Sequence, residues 1–258
     1  TLVVNGGTGI PQGFYAKFAR HAAARGFATL TYDYRGMGRS RVGLLRDENA
    51  TMNEWGRFDM AGALDHALER FPGRPAFVLG HSVGGQLVGL MENHARASAY
   101  VFVTASTGVW WRMPPVYGLF TASLWYGLFP ATSLAYGYVP GRALGLGEDL
   151  PRGVAAEWGR WCTSRDYFVR ALARDGIPSF HADVSAPVLS LSYTDDPIAN
   201  RRNVEQLLGF YPAAKVERVH ASPRECGRRS VGHLGFFRSA NAVLWERPLA
   251  FLESHAAG

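Results

Sequence analysis

Residues 77–87 read FVLGHSVGGQL: a run of apolar and small residues, then His81 and Ser82, then two glycines and a return to a helical pattern. Glycine-rich turns join strands to helices in many proteins, and a serine at such a junction can be a simple N-cap. The placing of Ser82 between Gly80 and Gly84 allows a more specific reading, the G-x-S-x-G nucleophile elbow. In that turn the serine hydroxyl stands clear of the backbone, and the flanking positions are small because neighbouring backbone comes close. The reading makes a demand on the rest of the chain. An acid and then a histidine must follow, each at the end of a later strand.

Both follow. The stretch VLSLSYTDDPIAN at 188–200 ends an apolar run on Asp195 and Asp196. After KVERVH at 215–220, the loop SVGHLGFF at 230–237 carries His233. A lone aspartate would be read as a turn or N-cap residue and a lone histidine as a structural one. It is the order Ser, Asp, His, each at a strand end, that points to nucleophilic catalysis. Serine needs a base, and His233 is the candidate. An aspartate would orient the imidazole, and Val83, the residue after the nucleophile, would offer its N–H to an oxyanion.

The pattern along the chain fits this arrangement. Apolar runs at Leu2–Asn5, Ala28–Tyr34, Ala76–Gly80, Tyr100–Thr104, Val188–Tyr193 and Lys215–His220 read as strands covered on both faces. Helices are expected over Phe14–Arg25, Asn53–Arg70, Gly84–Ala97, Arg202–Phe210 and Ala240–Ser254. In the second of these, Trp55, Phe58, Leu64 and Leu68 fall near one face. Alternating strands and helices predict an α/β fold with a doubly wound, mostly parallel sheet. The alternation breaks between Ser106 and Pro187, too long a stretch for a crossover loop. We expect a core of residues 1–106 and 187–258 and an aromatic-rich cap of residues 107–186. Met113–Gly141 carries no charge, but Pro114, Pro115, Pro130 and Pro140 argue against a continuous helix and against a membrane span.

Of the 258 residues, 47% are hydrophobic and 19% charged, a globular composition. The formal charge is +6, yet the arginines are scattered with no basic run, so nucleic acid is not an expected partner. A membrane partner is not expected either, and a homo-oligomer is left open. The two cysteines, Cys162 and Cys226, make no C-x-x-C pair, and no leader sequence is visible; a reducing, cytoplasmic setting is expected. No zinc-ligand spacing occurs, and NGGTGI at 5–10 lacks the rest of a dinucleotide or P-loop fingerprint, so neither metal nor cofactor is expected.

The chain resembles the α/β-hydrolases, in particular a group of bacterial serine aminopeptidase-like members. The resemblance rests on NGGTGIPQGFY (5–15), GFATLTYDYRGMGRS (26–40), GHSVGGQ (80–86), GEDLPRGVAAEWGRWC (147–162), SYTDDP (192–197) and GHLGFF (232–237). YDYRGMGRS is similar to the family's D-x-R-G-x-G-x-S loop, which implies structural roles for Asp33 and Arg35. The family usually has two further strands before the one that begins here. Its D-x-[IV]-x-P pattern fits DPIAN from Asp196, with Asn200 in place of proline. The resemblance thus implies Asp196 as the acid, with Asp195 as the alternative. NGGTG stands at the family's H-G-x loop, which implies Gly7 as a second oxyanion donor, with Asn5 replacing the usual histidine. His81 is expected to point away from the site, and Glu148–Asp149 to form a cap ion pair or helix start rather than to bind an amine. The expected function is cofactor-free hydrolysis of a carboxylic ester of a small or medium apolar molecule. Trp110, Trp111, Phe120, Trp125 and Tyr126 are the candidates for the apolar pocket. The same triad could serve a thioesterase, lactonase, amidase or acyltransferase, and a ligand-binding module on a hydrolase scaffold is the non-enzymatic alternative.

Overall fold

Alternate side chains of a strand point to opposite faces, so an all-apolar strand must be covered twice. The computed structural model, which describes residues 1–256, shows this arrangement. Its strands are β1 (Leu2–Asn5), β2 (Thr29–Thr31), β3 (Phe77–His81), β4 (Ala99–Val103), β5 (Tyr138–Val139), β6 (Leu150–Pro151), β7 (Val188–Tyr193) and β8 (Val216–Ala221). Six of them form one parallel sheet in the order β2-β1-β3-β4-β7-β8, while β5 and β6 pair antiparallel in a separate ribbon. Val3, Val78, Tyr100, Phe102 and Val188 enter the core on one face. Leu2, Val4, Phe77, Leu79, Val101 and Leu189 enter the core on the other. The second face is closed by the helices Ala16–Ala24 and Glu246–Ser254, through Phe18, Leu249 and Leu252. The outer strand β8 is largely exposed and carries Glu217 and Arg218, charges that discourage a further strand from adding to that edge.

Three expectations need correction. Gly84–Ala97 is not one helix. A single turn, Val83–Gln86, is followed by two short 3₁₀ segments, Val88–Leu90 and His94–Arg96. Glycines at 84, 85 and 89 give the backbone little helical preference, and the stretch is buried nearly all round. Phe58 does not join Trp55 and Leu64 inside. A π-helical turn, Trp55–Met60, rotates the helix there, and Phe58 is exposed beneath the Arg35 and Arg57 guanidiniums.

The third concerns the uncharged stretch. It is helical without interruption from 115 to 136: Pro115–Ser123, a π turn at Leu124–Leu128, then Phe129–Tyr136. The prolines do not break it: Pro115 opens the run, where a missing N–H costs least, and Pro130 follows directly on the π turn, where the Phe129 N–H bonds back to Leu124 and the ladder changes register. No helix among the described residues is long and apolar enough to cross a membrane. This run belongs to the insertion between β4 and β7, with the ribbon β5–β6 and the helices Arg152–Cys162 and Val169–Arg174. Glu157 fastens the insertion to the core by accepting from the Asn53 N–H at 2.8 Å.

Candidate active site

The turn after β3 is built as its glycines require. Ser82 has φ 53° and ψ −116°, a conformation that L-residues rarely adopt. A Cβ on Gly80 would lie 2.4 Å from the Gly84 carbonyl oxygen, and one on Gly84 would lie 2.2 Å from that of Asn5 in β1. Only glycine lets strand and helix turn so sharply here.

The sheet then brings three strand ends together. Ser82 Oγ is 2.9 Å from His233 Nε2, and His233 Nδ1 is 2.7 Å from Asp196 Oδ2. Asp196 is buried, and its Oδ1 accepts from the N–H groups of Ile198 and Ala199 at 2.8 and 3.0 Å. Of the paired aspartates, Asp196 is the one that reaches His233. Asp195 faces the other way, accepting from the N–H groups of Val231 and Gly232 at 2.8 and 3.0 Å and from the Ser230 hydroxyl at 3.0 Å. Burial pushes its carboxyl up, but these bonds outweigh burial and hold it below the usual range. Asp195 thereby fastens the loop that carries His233.

His81 points away from the cavity's reacting atoms and into a hydrogen-bond chain that the sequence did not disclose. Its Nε2 lies 3.0 Å from the His233 carbonyl oxygen, which can only accept, so Nε2 carries the proton. Nδ1, 2.7 Å from the Tyr15 hydroxyl, therefore accepts from it. The Tyr15 oxygen in turn accepts from the Gly7 N–H at 2.7 Å. Burial, with the charge of His233 second, pushes the His81 pKa down to about 3, so the ring is neutral in this chain. Thr104 Oγ1 also donates to the His233 carbonyl, at 3.1 Å. Nothing in the sequence distinguished Tyr15 from an ordinary core aromatic.

This chain corrects one expectation. Gly7 sits in the loop after β1 as expected, but its N–H is committed to Tyr15 and is not available to an oxyanion. The N–H groups of Thr8, in the same loop, and of Val83 have no partner among the described residues. Thr8 lines the cavity at Ser82.

That cavity, of about 300 Å³, is bounded by Ser82 and His233 on one side and by the insertion on the other. Of the five aromatics named from the sequence, Phe120 and Trp125 line it. Trp110, Trp111 and Tyr126 do not; Trp111 and Tyr126 are exposed, and both pack edge-on against Trp110. The helical run explains the division, since positions 117, 121, 124 and 125 share its inner face and 126 turns outward. Tyr117, Leu124, Phe129 and Trp158 were missed. Trp158 was accessible in principle, because Val154, Ala155, Trp158 and Trp161 recur at helical spacing. Glu148 reaches the cavity wall, where it pairs with Arg142. Asp33 and Arg35 are structural: Asp33 ties Gln12 to Arg39, and Arg35 pairs with Asp59. Among the described residues no cluster of His, Cys, Asp and Glu could hold a metal ion.

A parallel sheet with a serine elbow after β3, an acid after β7 and a histidine after β8 has the arrangement of the α/β-hydrolase fold. The family model described as "Serine aminopeptidase, S33" matches residues 1–220, and the chain belongs to that family. The match includes Ser82 and Asp196; His233 lies beyond it. Among solved structures, a soluble variant of the monoglyceride lipase of Saccharomyces cerevisiae is 16% identical, with 100% of this chain and 87% of that one covered at a TM-score of 0.67. The monoacylglycerol lipase of Paleococcus ferrophilus is 16% identical, covering 98% and 94% at 0.60. A thermophilic esterase from Thermogutta terrifontis is 18% identical, covering 99% and 90% at 0.58. At these identities the likeness is one of fold. No curated protein matches the chain.

Proposed function

We propose that the protein is a serine hydrolase that cleaves a carboxylic ester with an apolar acyl group through an acyl-enzyme. The observation that carries this reading is the continuous Ser82–His233–Asp196 hydrogen-bond chain opening on an apolar cavity. The names of the structural neighbours, lipases and an esterase, support an ester substrate. His233 Nε2 takes the Ser82 proton as Oγ attacks the acyl carbon, and Asp196 holds the Nδ1–H and balances the imidazolium. The oxyanion forms against the Val83 and Thr8 N–H groups. Losing one such donor typically costs about 10²–10³ in rate. The imidazolium then protonates the leaving alcohol, and water attacks the acyl-enzyme by the same relay. The insertion acts as a cap whose inner wall, with Phe120, Leu124 and Trp125, excludes water and takes up the acyl chain.

A series of p-nitrophenyl esters from acetyl to dodecanoyl tests this. kcat/KM should rise with chain length until the cavity is filled and then fall, and Ser82→Ala should abolish turnover throughout the series. Hydrolysis undiminished in Ser82→Ala would overturn the reading.

A further inference from the structure

The helical run from 115 to 136 has two sides, and only one belongs to the cavity. On the other, Val116 is 85% exposed, Leu119 66% and Leu134 90%, with Tyr126 between them. At about 1.5 Å per residue this uncharged strip is about 30 Å long. Contiguous exposed apolar surface of this extent marks an interaction site. At its C-terminal end it continues into the turn 41–46, where Val42 and Leu44 are exposed and Arg46 packs against Gly137.

We propose that this strip, together with the 41–46 turn, is a docking surface for an anionic phospholipid membrane, lying in the interface and not spanning it. The polar groups around the strip match such a surface. Arg39, Arg41 and Arg46 are exposed and make no ion pair among the described residues. Of the acids nearby, Glu148 is paired with Arg142, while Glu48 and Asp149 keep their charge but are half-buried and turned to the Ala50 and Arg142 N–H groups, and Asp47 is exposed. Arg112 stands at the other end beside the exposed Trp111, and Tyr136 closes the first, so rings suited to the headgroup layer flank the apolar centre. A second copy of the chain fits less well. Two strips laid face to face would bring arginine-bearing ends together in either orientation, whereas anionic headgroups neutralise both.

The docking surface meets the cavity. Phe120 and Leu146 are exposed and also line the space that contains Ser82. An acyl chain held in the lipid would therefore enter from the docked face without crossing water. This last step rests on the proposed hydrolase activity; the docking does not.

The test is flotation of the full chain with vesicles of phosphatidylcholine containing about one third phosphatidylglycerol, compared with phosphatidylcholine alone. The chain should float with the mixed vesicles, less so at high salt, and Ser82→Ala should float equally. Combined Val116→Ser, Leu119→Ser and Leu134→Ser should lower the partition coefficient about tenfold or more while hydrolysis of a soluble butyryl ester is unchanged. Combined Arg39→Gln, Arg41→Gln and Arg46→Gln should reduce binding to the level seen on phosphatidylcholine. Quenching of Trp111 by lipids brominated in the acyl chain, lost in Trp111→Phe, supplies a readout that does not depend on the serine variants folding. A chain that stays in solution, or that floats equally well with the serine substitutions, would overturn the proposal. So would a wild-type dimer that those substitutions dissociate.

Discussion

Ser82 is held at φ 53° by its surroundings, and the turn can be that sharp because Gly80 and Gly84 carry no Cβ where one would meet backbone. Its neighbours then divide their roles by hydrogen bonding. Asp196 serves His233 directly, while Asp195 serves the loop behind it. Asp196→Asn should lower kcat by about 10⁴, since an amide cannot hold the required tautomer or balance its charge. Asp195→Asn should cost about tenfold or less, because one of the two loop N–H groups keeps an acceptor oxygen and the change does not touch the His233 side chain. Steady-state kinetics of the two variants decide this, and the reverse ranking would contradict it. Ser82→Ala and His233→Ala should each remove most of the rate, and the double variant should lose little more. Tyr15→Phe removes the acceptor of the Gly7 N–H and the donor to His81 at once. It should lower kcat more than it raises KM, because the chain positions the loop beside the oxyanion and the His233 backbone without touching substrate.

At the scale of elements, the elbow is the junction that cannot be altered. Gly84→Ala would drive a Cβ into β1 backbone, which cannot move aside as a side chain can, and should cost about 3 kcal/mol or more in a urea titration. The inserted helix is more tolerant and more specific. Phe120→Ala should reduce kcat/KM for an octanoyl ester more than for an acetyl ester. Trp111→Ala, outside the cavity, should leave both unchanged. Equal losses on both esters in Phe120→Ala would remove it from the acyl wall. The inner strands were legible in the sequence because burial on both faces leaves apolar runs such as FVLG, whereas β8, expected to be covered on both faces, is an exposed edge strand. Ser82, His233 and an aspartate at 195 or 196 were legible as candidates because their order and strand-end positions are written in the chain, whereas the choice of Asp196 came from the family resemblance. The helical run at 115–136 was not. Apolar residues surround it on all sides, so no periodicity separated the face over Ser82 from the outward one, and the π turn that aligns Trp125 inward leaves no mark in composition. Tyr15 and the occupied Gly7 N–H were hidden for another reason: they depend on contacts between segments far apart in the chain.

The whole molecule should be sensitive to mild acid. His81 and His181 are fully buried, and burial first of all pushes their pKa values down to about 3 and about 4. Folded, both stay neutral; unfolded, each takes up a proton near 6.5. Their contribution is therefore complete above about pH 6.5 and is lost as pH falls towards the folded values, at about 1.4 kcal/mol per unit for each ring. Between pH 7 and 5 the unfolding free energy should drop by about 4 kcal/mol, and His181→Gln should roughly halve the slope. Equal stability at the two pH values would contradict the burial of these rings. The central claim, that this fold exists to activate one serine, is tested most directly by intact-protein mass spectrometry after incubation with a fluorophosphonate. A single adduct is expected on the wild-type chain, located at Ser82 and absent from a folded Ser82→Ala variant. A folded wild-type chain that takes up no adduct, or an adduct that persists in Ser82→Ala, would contradict it.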